Sequence, residues 1–220
     1  MRGVFDIIGP IMIGPSSSHT AGAVRLGLMT RKILGEEPTQ ATIEFHGSFA
    51  QTYKGHGTDK AIVAGIMGFA TDDERIKESL NIALHKGLKY EIHTIDLGDA
   101  HPNTAVIYLY GQSGHMTRVV GASIGGGNIR ITNIDGYDVE LTGQYHTLIS
   151  IHHDRPGMIT MVTSILAKYK INIAFMRVFR KSRGAEALMM IEVDDQISEE
   201  VLEEIKEVPG VAKSFHIPPI

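Results

Sequence analysis

Hydrophobic and polar positions change their rhythm near residues 136–144 of this chain. Beyond that point the pattern is regular. Residues 147–152 (TLISIH) alternate as a half-buried strand does, and Asp154-Arg155-Pro156-Gly157 follows as a turn. Ile159, Val162, Ile165, Leu166 and Tyr169 then recur at helical spacing and give one apolar stripe over 158–169. Strand-like runs follow at 171–179 and 187–193, separated by a basic turn at 180–184. Ser198 with Glu199 and Glu200 opens a helix with acids in its first turn, and Pro209-Gly210 closes it. A last strand covers 211–217. The order strand, helix, strand, strand, helix, strand is the split βαβ, or ferredoxin-like, plan.

Before residue 136, glycine-rich loops interrupt shorter elements. The pattern predicts a helix over 20–34 capped by Thr20 or Ser18 and ended by Gly35, a buried helix over 59–69, and an amphipathic helix over 72–86 with Gly87 at its end. Strands are expected at 42–45, 90–95, 105–110, 116–122 and 128–134. The chain therefore reads as α+β, with one domain over 1–143 and a second, ferredoxin-like one over 146–220.

Composition narrows the function. At 220 residues the chain can bury one large core or two small ones. A hydrophobic share of 43%, a charged share of 21% and a net charge of −4 fit a globular protein and give no sign of a nucleic-acid or membrane-surface binder. No run approaches the ~18 apolar residues of a spanning helix. The opening MRGVFDIIGPIMIG is broken by Pro10 and carries Asp6, so it reads as mature protein rather than a signal peptide, and the cytoplasm is the expected location. There is no cysteine, so this chain supplies no disulfide, thiolate zinc site or cluster ligand. Eleven histidines, beside seven Phe and no Trp, leave chemistry to His, Ser, Asp, Asn and backbone dipoles.

Three segments stand out. In Gly14-Pro15-Ser16-Ser17-Ser18-His19-Thr20, hydroxyls and a titratable ring precede a helix, whose free N–H groups and dipole suit a carboxylate or phosphate. A capped helix after a loop explains the same residues equally well. Lys54-Gly55-His56-Gly57-Thr58-Asp59 sets a histidine between two glycines, ahead of a second helix that Thr58 or Asp59 would cap. Alone, this is a tight turn with an exposed ring. Ser123-Ile124-Gly125-Gly126-Gly127 is either an anion nest or a bulged hairpin, and it is no dinucleotide fingerprint. His101-Pro102-Asn103-Thr104 before a strand is equally open, whereas His152 and His153 would face opposite sides of a strand and read as structural.

Taken together, GPSSSHTAG, GSFAQTYKGHGTD, HPNTA and SIGGG, followed by the ferredoxin-like pattern, resemble the β subunit of bacterial iron–sulfur L-serine dehydratases over essentially the whole chain. The first domain is similar to the allosteric-substrate-binding type also found in some phosphoglycerate dehydrogenases, and the second to an ACT domain. The resemblance implies conversion of L-serine to pyruvate and ammonia with a separate α subunit. It also implies a 4Fe-4S cluster held by that partner's cysteines, with no metal ligand in this chain and no pyridoxal phosphate. It implies that His56 is the general base or its immediate neighbour and that His19 orients substrate or leaving group. Ser16, Ser17, Ser18 and Thr20 would hold the carboxylate, with Lys54, Thr58, Asp59, His101, Asn103, Ser123, Gly125 and Gly126 shaping the pocket. In the ACT-like domain Asp154, Gly157, Met158 and Asn172 would take an amino-acid effector, or the domain would serve self-association without a ligand. A non-catalytic amino-acid sensor is the alternative for the whole chain.

Overall fold

In a computed structural model, residues 12–14, 16–180 and 182–220 are described. The N-terminal run at 1–11, Pro15 of the GPSSSHT segment and Lys181 of the basic turn lie outside the described residues. The chain divides into two compact units, Met1–Thr142 and Gly143–Ile220.

In the first unit a π-helical turn, Ser17–Ala21, leads into α1 (Gly22–Leu34), then β1 (Pro38–Phe45), α2 (Gly47–His56) and α3 (Thr58–Ile66). A 3-10 turn (Glu74–Glu78) and α4 (Ser79–His85) precede β2 (Lys89–Thr94). Then come β3 (Thr104–Gly111), β4 (Met116–Gly125), β5 (Asn128–Ile134) and β6 (Tyr137–Leu141). The sheet order is β2-β1-β3-β4-β5-β6, with β1 and β2 parallel and the other neighbours antiparallel. Helix α1 lies across β3, β4 and β5 and packs against α3.

That helix pair is unusually close. A β-carbon at Gly65 would collide with the backbone carbonyl of Val24, and one at Gly27 with that of Ile62. Two glycines facing each other's partner helix let the backbones touch, and the small residues Ala23, Ala61 and Ala64 on the same two helices are wholly buried.

The structure corrects several expectations here. Helix α2 was not foreseen, because Gly47 and Gly55 depress intrinsic helicity. Tertiary packing overrides that preference. Phe49 is buried edge-on to Phe45 at 5.7 Å between centroids, and Tyr53 lies 5.4 Å from the Phe45 ring. Gly47 has a φ of +58°, and a β-carbon there would lie 2.7 Å from Pro102. Gly57, in the left-handed region, ends α2 and caps α3, so neither Thr58 nor Asp59 is the cap. Neither Thr20 nor Ser18 caps α1: both lie inside the π turn, which Ser16 caps, and Ala21 precedes α1 without a side-chain cap. The helix expected over 72–86 is the 3-10 turn followed by α4. Strand β6 was also missed. It pairs with β5 around a two-residue Asp135-Gly136 turn, both at positive φ, of the kind that Asp-Gly favours.

The second unit follows the expected pattern: β7 (His146–His153), α5 (Met158–Lys168), β8 (Ile173–Arg180), β9 (Glu186–Val193), α6 (Glu199–Lys206) and β10 (Val211–Ile217). Its antiparallel order β10-β7-β9-β8 is ferredoxin-like. Val162, Ile165 and Leu166 of α5, with Val201, Leu202 and Ile205 of α6, close over Leu148, Met189 and Ile191. Ser198 caps α6 through its side chain, as its sequence predicts.

Gly65→Ala places a methyl against an immovable backbone carbonyl. Urea unfolding of this variant is expected to lose about 1–3 kcal/mol or more. An unchanged midpoint would show that α1 and α3 do not meet so closely.

Candidate functional site

The π turn that opens α1 contacts α2, α3 and β4. Ser16 caps it, its Oγ accepting a hydrogen bond from His19 N at 3.2 Å. The His19 ring is then held on both edges. Its Nδ1 lies 3.1 Å from Ser18 Oγ and 3.4 Å from Ser16 Oγ, and its Nε2 lies 3.2 Å from Ser48 Oγ on α2. Hydroxyls donate or accept as required, so the ring is fixed in either tautomer. Phe49 meets it edge-on at 5.2 Å.

Helix α2 presents Ser48, Thr52 and His56 at i, i+4 and i+8, which places them along one face. At one end of that row Ser48 touches His19; at the other, the His56 ring lies 4.9 Å from it between centroids. Thr52 steadies the helix by donating to Ser48 O at 2.7 Å. Burial lowers the pKa of His19 below 6.5, and the nearby His56 lowers it further. His19 is thus held neutral near pH 7, whereas His56 is exposed and reaches solvent.

Four other side chains singled out in the sequence share a property. Thr20 Oγ1, Thr58 Oγ1, Asn103 Oδ1 and Ser123 Oγ are buried with no hydrogen-bond partner among the described residues. Thr20 is 3% exposed, and Thr58 and Ser123 are wholly buried. Each such atom costs about 1–3 kcal/mol, and folded proteins carry few of them. Ser123 abuts the start of α1, where a β-carbon at Gly22 would strike its hydroxyl. Its backbone N donates to Asn103 O at 3.0 Å, and Phe49 N donates to Pro102 O at 3.2 Å. The 101–104 loop therefore ties β4 to the beginning of α2.

The remaining predicted residues play lesser parts. His101 is exposed and accepts from Asn103 N at 3.2 Å, which makes it a turn-former. Gly125 and Gly126 belong to a bulged β4–β5 hairpin rather than a nest, and Arg25 of α1 anchors its turn by donating to Gly127 O at 3.0 Å. Asp59 accepts from the N–H of Lys60. Lys54 is exposed at the rim, with Thr20 and His56 lining the same cleft. Ser17 lies in the π turn itself. Sequence reasoning assigned no role to Ser48; the polar spacing of 48, 52 and 56 was its only signal.

In the second unit the four candidates separate. Asp154 accepts from Gly184 N at 2.9 Å and Arg180 Nη1 at 3.3 Å. The Gly184 amide, then Arg180, hold its carboxyl below the usual range. Gly157 precedes α5 with a φ of +90°, and Met158 is buried in the core. Asn172 lies just before β8, not on it, and donates to Asp194 at 2.7 Å. Ile173 and His146 both pair with Val193, so Asn172 sits at the opening end of β7, whereas Asp154 follows its closing end. His152 is buried and His153 exposed, as alternation requires.

Residues 3–133, which contain both histidines, match the family model described as serine dehydratase beta chain. The chain belongs to this family. In this beta-chain family member, residues 148–213 further match an acetohydroxyacid-synthase small-subunit-like ACT domain. It is 48% identical to a probable L-serine dehydratase beta chain of Bacillus subtilis, over 96% of this chain and 95% of that one. It is 40% identical to the L-serine dehydratase beta chain of Peptoniphilus asaccharolyticus, over 89% and 88% of the two chains. A D-3-phosphoglycerate dehydrogenase of Synechocystis is 26% identical over 89% of this chain and 35% of its own.

The lowered pKa of His19 has a sign. Above 6.5 the ring is neutral in both folded and unfolded chains; below it, the unfolded chain takes up the proton first. Its stabilising share is complete above 6.5 and is lost as the pH falls through the lower folded value. Stability measured by urea unfolding is expected to fall as the pH drops below 6.5 towards the lower folded value, and less steeply in His19→Gln. Equal slopes would show that His19 is not depressed.

Proposed function

We propose that this chain is the β subunit of an L-serine dehydratase, which with an α partner converts L-serine to pyruvate and ammonia in the cytoplasm. The observation that carries the reading is the pairing of a pinned, neutral His19 with an exposed His56 at the serine-rich start of α1. Family membership and the printed names of the two bacterial relatives support it.

Ser16, Ser17, Ser18 and Thr20, at the opening turn of α1, would bind the substrate carboxylate, where hydroxyls and the helix dipole favour an anion. His56 would remove the α-proton, since no hydrogen bond from the described residues holds its ring. His19, fixed by Ser18 and Ser48, would hydrogen-bond the departing hydroxyl. The α C–H and β C–O bonds break, water leaves, and the resulting aminoacrylate hydrolyses to pyruvate and ammonia. Ser48 acts through His19 and is a positioning residue.

This chain's residues do not fit as ligands of a 4Fe-4S cluster, because it has no cysteine. The proposal leaves that cluster to cysteines of the α subunit, where it would supply Lewis-acid help to hydroxyl loss. Pyridoxal phosphate has no part in this scheme. The ACT unit is proposed to self-associate and to take an amino acid near the Asp154–Gly157 turn; calorimetry of the full chain with L-serine would then show saturable heat that Gly157→Ala reduces to the share of the α1 site.

The direct test joins the chain with its cysteine-rich partner, anaerobically, and measures pyruvate from L-serine. Activity is expected only in the mixture, and His56→Ala should lower kcat by on the order of 10²-fold or more. Full activity from the α subunit alone would reduce this chain to an amino-acid sensor. A His56→Ala complex within a few fold of the parent would remove His56 as the base.

A further inference from the structure

A cleft of about 340 Å³ beside His56 is lined by Ile13, Gly14, Thr20, Gly55, Gly57 and Ile76 together with Lys54, Lys60 and Lys77. The three lysines come from separate elements: the end of α2, the first turn of α3 and the 3-10 turn. Among the described residues no carboxylate lines this cleft, and none of the three ammonium groups is in an ion pair. The nearest acids in sequence are engaged elsewhere: Asp59 accepts from Lys60 N, and Glu78 accepts from Asn81.

Like charges gathered in a concave site raise the local potential and draw in a counter-ion. The nine-residue α3 points its positive end at the same place. A second, independent feature also calls for a ligand. Thr20, 3% exposed, stands in the wall of this cleft, and its Oγ1 has no hydrogen-bond partner among the described residues.

The charge balance selects the ligand class. A zwitterionic amino acid would set its own ammonium among three others, so L-serine gains less from this charge than a dianion does. A small dianion neutralises the group without that penalty. We propose that Lys54, Lys60, Lys77 and Thr20 form a binding site for a small phosphate-type dianion, inorganic phosphate or a phosphomonoester, whose occupancy covers His56 and competes with substrate. Binding itself is independent of the serine reading; only the competition rests on it.

The test titrates the full chain with inorganic phosphate, methyl phosphate and, as a monoanion control, acetate, at ionic strength held constant with chloride, and follows backbone amide shifts by NMR. Phosphate is expected to saturate and to shift Gly55, His56 and Gly57, with acetate silent. Tighter binding of methyl phosphate would point to an ester as the natural ligand, and tighter binding of phosphate to the free ion. The Lys60→Gln, Lys77→Gln double variant should weaken phosphate by about tenfold or more. In the assembled complex, phosphate should raise the apparent KM for L-serine without changing kcat, and the double variant should keep basal activity while losing that inhibition. Equal, unsaturable responses to phosphate and acetate, or phosphate binding unchanged in the double variant, would overturn the site even if serine turnover stands. Absence of serine turnover, with phosphate still binding through Lys60 and Lys77, would instead overturn the proposed activity alone.

Discussion

Everything in the first unit depends on how closely α1 can approach α3. The two helices touch through backbone at Gly27 and Gly65, and any β-carbon at either position would meet a carbonyl of the opposite helix. That contact fixes where both helices begin. The π turn carrying Ser16 to Thr20 and the Gly57 junction carrying His56 are thereby brought to the same place. Helix α2 is then braced from below by Phe45, Phe49 and Tyr53, and at its start by Pro102. In this arrangement the rings of His19 and His56 lie 4.9 Å apart between centroids.

The two rings sit in different surroundings and acquire different characters. His19 is part-buried beside His56, which lowers its pKa and leaves it neutral near pH 7, and serine hydroxyls hold both its ring nitrogens. His56 is exposed at a glycine-flanked helix end and faces a cleft of ammonium groups. A pair of histidines divided in this way by environment suits a division between orienting and proton-transferring roles. The buried, unpartnered hydroxyls of Thr20, Thr58 and Ser123 are a stability cost concentrated at this one region, as is common where function rather than folding sets the residue.

The second unit was legible almost element by element because its periodicities are undisturbed. Strand alternation in 147–152 and the helical stripe from Ile159 to Tyr169 each bury one face against one core. The first unit was harder to read. Glycines at 47, 55 and 57 mask α2, whose helicity comes from aromatic packing rather than propensity. The Asp135-Gly136 turn, a strong hairpin signal, was absorbed into a presumed domain boundary, and β6 was lost with it. At the site, SSSHT and GHG stood out by residue type, yet nothing in the sequence showed that they meet. Their contact runs through Ser48, 29 residues beyond His19, and through a helix crossing made by glycines. Local pattern carries chemistry-bearing groups; only tertiary packing assembles them. The candidate effector residues show the same limit, since Asn172 and Asp154 fall at opposite ends of β7 once the strand register is known.

The central claim is that L-serine is bound at the start of α1 against the row of residues on α2. Hydrogen–deuterium exchange of the assembled complex, with and without L-serine, tests it most directly. Added serine is predicted to slow exchange at residues 16–20 and 47–57, with Ser48 and His56 in the protected set. Protection confined to residues 146–220, or to the α subunit, would place the substrate elsewhere and contradict the account.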